Sequence, residues 1–183
     1  MANIYICRHC KTSWNKEHRV QGTINIPLSE EGKLQATENL QYIQSLGIQR
    51  IITSESIRAF ETGKIYADHL KVPINTHSGL GEIDHGAWEG ELLPELLSTP
   101  SSSFKQWMQN PLLVEIPSSK ETIHEAQKRI VTAVEEIRLG HKNENVLIVT
   151  HKHIKALLYC ELNKQSVANF SNNIEETIRP TKI

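Results

Sequence analysis

Three short apolar runs, each followed by a helical pattern, constrain this chain more than any other feature. Residues 3–8, containing Ile4-Tyr5-Ile6-Cys7, read as a buried strand. Residues 49–53 form a second run ending at Thr53-Ser54, and Val146-Leu147-Ile148-Val149 a third. Residues 29–46 are expected to form a single helix. Ser29 can cap it, Glu30 and Glu31 suit its positive end, and Gly47 follows. Leu34, Thr37, Leu40, Ile43 and Leu46 recur at helical spacing. Further helices are expected over 56–70, over 120–139 through Ile123, Ala126, Ile130, Val134 and Ile137, and after Thr150-His151. Val72 to Thr76 reads as an edge strand, where Pro73 is tolerated. Strands alternating with helices predict an α/β fold with a mostly parallel sheet.

The 183 residues suffice for one domain with a full core. Residues 83–118 interrupt the alternation with Pro94, Pro100, Pro111 and Pro117 and carry Trp88, Phe104 and Trp107. They are expected to form a lid or short-helix insertion. From about Lys164 the chain is polar and weakly patterned.

Twenty basic and 21 acidic residues give a net charge of −1. That balance gives no support to binding nucleic acid or an anionic membrane, so any basic site must be local. No stretch reaches the apolar length of a membrane span, and no signal peptide is recognisable. An odd set of cysteines (Cys7, Cys10, Cys160) suits a reducing, cytoplasmic setting. Cys7 and Cys10 also match the C-x-x-C spacing of redox centres; the alternative puts Cys7 in a strand core and Cys10 in a loop.

Two strand ends carry the chemistry. Arg8-His9 closes the first run and Thr150-His151 the third. If those strands are parallel neighbours, both imidazoles meet at the carboxyl edge of the sheet, where α/β folds bind ligands. Arg58 follows the second run, in the first turn of its helix. Arginines offer paired donors matched to phosphate oxygens, and helix N-termini add N–H groups. The pattern predicts a phosphate site. A histidine with one nitrogen free and the other held is also a nucleophile. Among the carboxylates, Glu82 in Leu80-Gly81-Glu82-Ile83 is the candidate general acid, its apolar neighbours expected to keep it a proton donor. Glu89 is the nearby rival. His151-x-His153 offers two metal-ligand types, too few for a site.

Six ordered segments resemble the histidine phosphatase superfamily, the phosphoglycerate-mutase-like proteins. They are Arg8-His9-Cys10-Lys11-Thr12-Ser13-Trp14-Asn15; Gln21-Gly22; Pro27 to Gly32; Thr53-Ser54 with Arg58 to Thr62; Glu82 with Gly86-Ala87-Trp88-Glu89-Gly90; and Val146 to His151. The likeness spans roughly residues 3–160. It implies a three-layer α/β/α sandwich and a phosphomonoesterase with His9 as phosphoryl acceptor and Glu82 as general acid. Arg8, Arg58 and His151 would line the phosphate pocket, with Asn15 nearby. The partner implied is a small phosphorylated substrate; no metal or cofactor is implied, and oligomeric state, a homodimer included, is left open.

The chain departs from the usual family pattern at four places. Cys10 stands for the glycine of Arg-His-Gly and Lys152 for that of Ser-His-Gly. Asn25 replaces an aspartate, and Lys120-Glu121-Thr122 replaces Gly-Glu-Ser. Side chains in place of glycine are expected to crowd the pocket or turn a backbone N–H, though Lys152 can instead add a cation over the phosphate. That expectation motivates a second reading, a phosphate-ligand binder or regulatory pseudoenzyme. A phosphoglycerate mutase is disfavoured by the short segment after Glu82.

Overall fold

In the computed structural model, which describes residues 3–99, 101–175 and 177–183, a five-stranded sheet forms the centre. Its strands are β1 (Ile4–Arg8), β2 (Arg50–Thr53), β3 (Ile74–Thr76), β4 (Val146–Thr150) and β5 (Thr181–Lys182), in the order β3-β2-β4-β1-β5. All pairings are parallel except β5, which runs antiparallel along β1. Helices α1 (Ser13–Lys16), α2 (Glu30–Glu38), α3 (Leu40–Ser45) and α4 (Ile57–Leu70) come first in the chain. The later helices are α5 (Leu93–Leu97), α6 (Ser103–Gln109), α7 (Ile123–Gly140) and α8 (Lys152–Leu162).

The period-two geometry of a strand explains the layering. Ile4, Ile6, Ile52, Val146 and Ile148 point to one face and join the buried residues of α7 and α8. Cys7, Ile51, Leu147 and Val149 point to the other face, where they meet Ala36, Ile43, Ala59 and Tyr66 of α2, α3 and α4. Covered on both faces, the inner strands are mostly apolar between their ends, as parallel sheets require. The expected α/β/α sandwich is the architecture found.

Three expectations change. The helix expected over 29–46 is broken at Asn39, which closes α2 and precedes α3. Asn39 is buried and its amide donates to Tyr66 Oη at 3.4 Å, so the interruption is tied to α4. Residues 83–118 are not all peripheral, because Trp88, Phe104 and Trp107 are buried and stack on one another as part of the core; Pro100 lies outside the described residues. The polar tail is also structured. Phe170 is fully buried against Trp107, and Thr181 pairs with Ile6. Hydropathy missed this because few of its described residues are buried, chiefly Val167 and Phe170.

Two sequence departures have local jobs. Asn25 Oδ1 accepts the first helical N–H of α4, from Ile57 at 2.7 Å. Glu121 holds Arg129 by two bonds of 3.0 and 2.8 Å, while Thr122 and Glu125 form a reciprocal capping box on α7.

Candidate active site

Strand register brings the two proposed histidines together. Arg8 lies opposite Thr150, and His9 N–H donates to the Thr150 carbonyl at 2.9 Å. The His9 and His151 ring centroids are therefore 5.3 Å apart. A cavity of about 520 Å³ opens here, lined among others by Arg8, His9, Asn15, Arg58, Glu82 and Lys152.

His9 is held in one tautomer. Its Nδ1 sits 2.7 Å from the Cys10 carbonyl, which can only accept, so Nδ1 carries the proton. Nε2 keeps its lone pair and receives the Nε–H of Arg58 at 3.3 Å. Burial, then the charges of Arg8 and Arg58, hold the imidazole well below its usual range. The ring is neutral near pH 7, the form a nucleophile needs.

Arg58 is not the surface ion pair that its neighbours Glu55 and Glu61 would suggest. It is buried, and its terminal nitrogens donate to the carbonyls of Ile24 at 2.8 Å and Gly22 at 2.7 Å. Burial lowers its pKa to about 10, which leaves it charged near neutrality. Gly22 has a φ of +51°, and a Cβ there would collide with the Glu89 carboxylate. Glu89 in turn accepts from Thr23 N at 2.7 Å and His85 N at 3.1 Å. It clamps the loop that carries the carbonyls holding Arg58.

His151 is fully buried. Its Nε2 meets Ser54 Oγ at 2.9 Å and Ser56 Oγ at 3.3 Å, while its Nδ1 has no protein partner. Burial and the charge of Arg58 push its pKa well down. Glu82 lies in the same cavity, but not in the apolar setting expected for it. Oε1 accepts from Ile83 N at 3.0 Å and Ile154 N at 2.9 Å, and Oε2 from His153 N at 3.2 Å. Two of these donors belong to the first turn of α8, so the helix start fixes the carboxylate. Lys152, the first residue of α8, lines the cavity too. Asn15 lines it but spends Oδ1 on Thr12 N at 2.9 Å, as part of the α1 capping box.

Cys10 does not crowd the site. Its side chain is fully buried in the core on the α4 side, with Sγ 3.7 Å from Tyr66 Oη. Its backbone N–H donates to Thr62 Oγ1 at 3.0 Å, and neither it nor Lys152 has a positive φ. Glycine's conformational freedom is therefore not needed at either place. Nor is there a redox pair. Cys7 and Cys10 are unbonded thiols, and burial pushes both upward, away from the reactive thiolate.

Sequence reasoning missed the wall beyond Glu82. His85 and His153 are buried, with His85 Nε2 2.9 Å from His153 Nδ1. Only the His151-x-His153 spacing hinted at His153, and it paired it with the wrong partner. Leu93, Leu97, Phe104 and Met108 add apolar surface, and Gln21 and Arg19 polar surface, to the same cavity.

Comparisons with known proteins define the class to which this fold belongs. The model of the histidine phosphatase superfamily (branch 1) matches residues 4–177, so the chain belongs to that superfamily. It is 30% identical over 162 residues to phosphoserine phosphatase 1 of Hydrogenobacter thermophilus, covering 88% of this chain and 76% of that one. It is 32% identical over 162 residues to phosphoglycerate mutase-like protein 4 of Arabidopsis thaliana, covering 86% and 70%. The solved structure of YhfR from Bacillus stearothermophilus superposes with a TM-score of 0.85 at 31% identity, over 93% of this chain and 84% of that one.

Proposed function

We propose that the protein is a phosphomonoesterase working through a phosphohistidine on Nε2 of His9. One observation carries the reading: Nδ1 is tied to the Cys10 carbonyl, so the unprotonated nitrogen is Nε2, which faces the guanidinium of Arg58. An anion drawn to Arg58 meets that lone pair. In the first step Nε2 bonds to phosphorus while the ester P–O bond breaks. The leaving oxygen takes a proton from Glu82. In the second step Glu82 takes a proton from water, whose oxygen attacks phosphorus and breaks the N–P bond, releasing inorganic phosphate. Arg8, Arg58 and Lys152 offset charge on the non-bridging oxygens, and Nδ1 of His151 is a buried atom that a phosphate oxygen would satisfy.

The name of the Hydrogenobacter relative supports a small phosphorylated metabolite as substrate. Residues 83–118 are the segment that sets specificity. Leu93, Leu97, Phe104 and Met108 favour a leaving group with some apolar surface.

The test is a rapid alkaline quench with a phosphorus-labelled monoester. An acid-labile protein adduct is expected in the wild type and none in His9→Ala. Hydrolysis that survives His9→Ala without an adduct overturns the mechanism. Isomerised product in place of free phosphate would favour the mutase reading.

A further inference from the structure

Beside the phosphate pocket, three side chains meet for which the proposed hydrolysis has only partial use. Glu82, His85 and His153 each offer one ligand atom, all within 4.8 Å of one another. His85 Nε2 and His153 Nδ1 are 2.9 Å apart, and Glu82 Oε2 is 3.9 Å from His153 Nδ1. A four-coordinate ion with bonds of about 2.0–2.2 Å sets neighbouring ligand atoms about 3.3 Å apart. The two rings must open by about 0.4 Å, and the carboxylate must approach His153 by about 0.6 Å and close on His85 from within 4.8 Å. Ring rotation supplies the first, and lengthening of the backbone N–H bonds to Glu82 the second.

Two neutral imidazoles share a single hydrogen in this contact, and an ion in its place would take a lone pair from each facing nitrogen, His85 Nε2 and His153 Nδ1. The rings cross nearly at right angles, 84°, with Trp107 against both. That packing fixes their directions. The carboxylate is fixed as well, by the three backbone N–H groups on its two oxygens. Ligands oriented by surrounding contacts are what a metal centre needs. All three residues line the cavity, which leaves room for water or substrate as a fourth ligand.

We propose that Glu82, His85 and His153 form a site for a divalent transition-metal ion of the Zn²⁺ kind, and that filling it stops hydrolysis. Two imidazoles and one carboxylate select such ions over Mg²⁺ and Ca²⁺, which prefer all-oxygen ligands. The inhibition rests on the proposed role of Glu82: an oxygen bound to a metal cannot carry the proton of the leaving group. The metal-free protein would be the active phosphatase, and the ion its inhibitor.

Binding is measured apart from activity. Metal-free wild-type protein is titrated with ZnCl₂ alone by calorimetry, and with CoCl₂ by visible absorption. One ion per chain is expected, with the intense d–d bands of a four- or five-coordinate Co²⁺ ion. His85→Gln and His153→Asn should each weaken binding at least tenfold, with near-native circular dichroism as the folding check. Saturating Zn²⁺ should cut wild-type phosphate release at least tenfold, and EDTA should restore it. Absence of Zn²⁺ and Co²⁺ uptake by the wild type, or unchanged uptake in both folded variants, overturns the site. Uptake without inhibition overturns the link to Glu82. If the metal-free protein releases no phosphate from any monoester, the phosphatase reading fails, while the titrations still decide the site.

Discussion

At the scale of single residues, the two substituted glycines separate cleanly. Cys10 is a core residue beside Tyr66, so Cys10→Gly removes buried volume and frees the backbone. The expected cost is about 1–3 kcal/mol of stability, with no large gain in kcat. Urea unfolding and steady-state kinetics check both halves, and a rate gain of orders of magnitude would revive the idea of an impaired site. Lys152 lines the pocket, so Lys152→Gly should behave differently. We expect inorganic phosphate to inhibit roughly tenfold less well, from the loss of a charged donor. Stability should fall by only about 1 kcal/mol, the cost of glycine in a helix. Glu82 makes a third case. With Glu82→Gln, kcat should drop about 10²–10⁴-fold on an alkyl phosphate. It should drop far less on a nitrophenyl phosphate, whose phenolate leaves without a proton. Equal losses on both substrates would remove Glu82 from the acid role.

At the scale of elements, the start of α8 does several jobs at once. It follows His151, presents Lys152, supplies two N–H groups to Glu82 and brings His153 against His85. Its far side carries Lys155, whose side chain is fully buried and paired with Glu175 at 2.9 Å. That ion pair ties the C-terminal segment to the helix. Removing only the carboxylate, as in Glu175→Ala, leaves a buried ammonium with less compensation. The expected loss is about 1–3 kcal/mol, below the range for fully buried pairs because Glu175 is half exposed. Lys155→Met should cost less than Glu175→Ala; the reverse order in thermal melts would argue against the latch. Strands β1, β2 and β4 and helices α4, α7 and α8 were readable in advance because their apolar patterns are clean. The break at Asn39 and the docking of the tail were not, since each depends on one or two contacts with distant elements.

At the scale of the whole molecule, four buried histidines (His9, His85, His151 and His153) share one electrostatic consequence. Burial lowers the pKa of each below its unfolded value; nearby cations add to this at His9, His151 and His153, while carboxylates led by Glu82 oppose it at His85. The unfolded chain therefore takes up more protons as pH falls through about 6.5. Stability from these groups is fully present above that pH and is lost below it. Each histidine adds up to about 1.4 kcal/mol per pH unit to the slope. Melting midpoints at pH 7.5 and 5.5 should show a marked fall. Replacing His85 and His153 by glutamine should flatten it, and an unchanged slope in that double variant would exclude them as its source.

The alternating strands and helices, the placing of Arg8-His9 and Thr150-His151 at strand ends, and Arg58 at a helix start are legible along the chain. These follow from local periodicity and from the rule that parallel strands present their carboxyl ends together. Which way Cys10 points, what surrounds Glu82, and the meeting of His85 with His153 across 68 positions of chain emerge only in the folded molecule. Side-chain direction and long-range contact are set by packing among many elements, and no pattern along one segment carries that information.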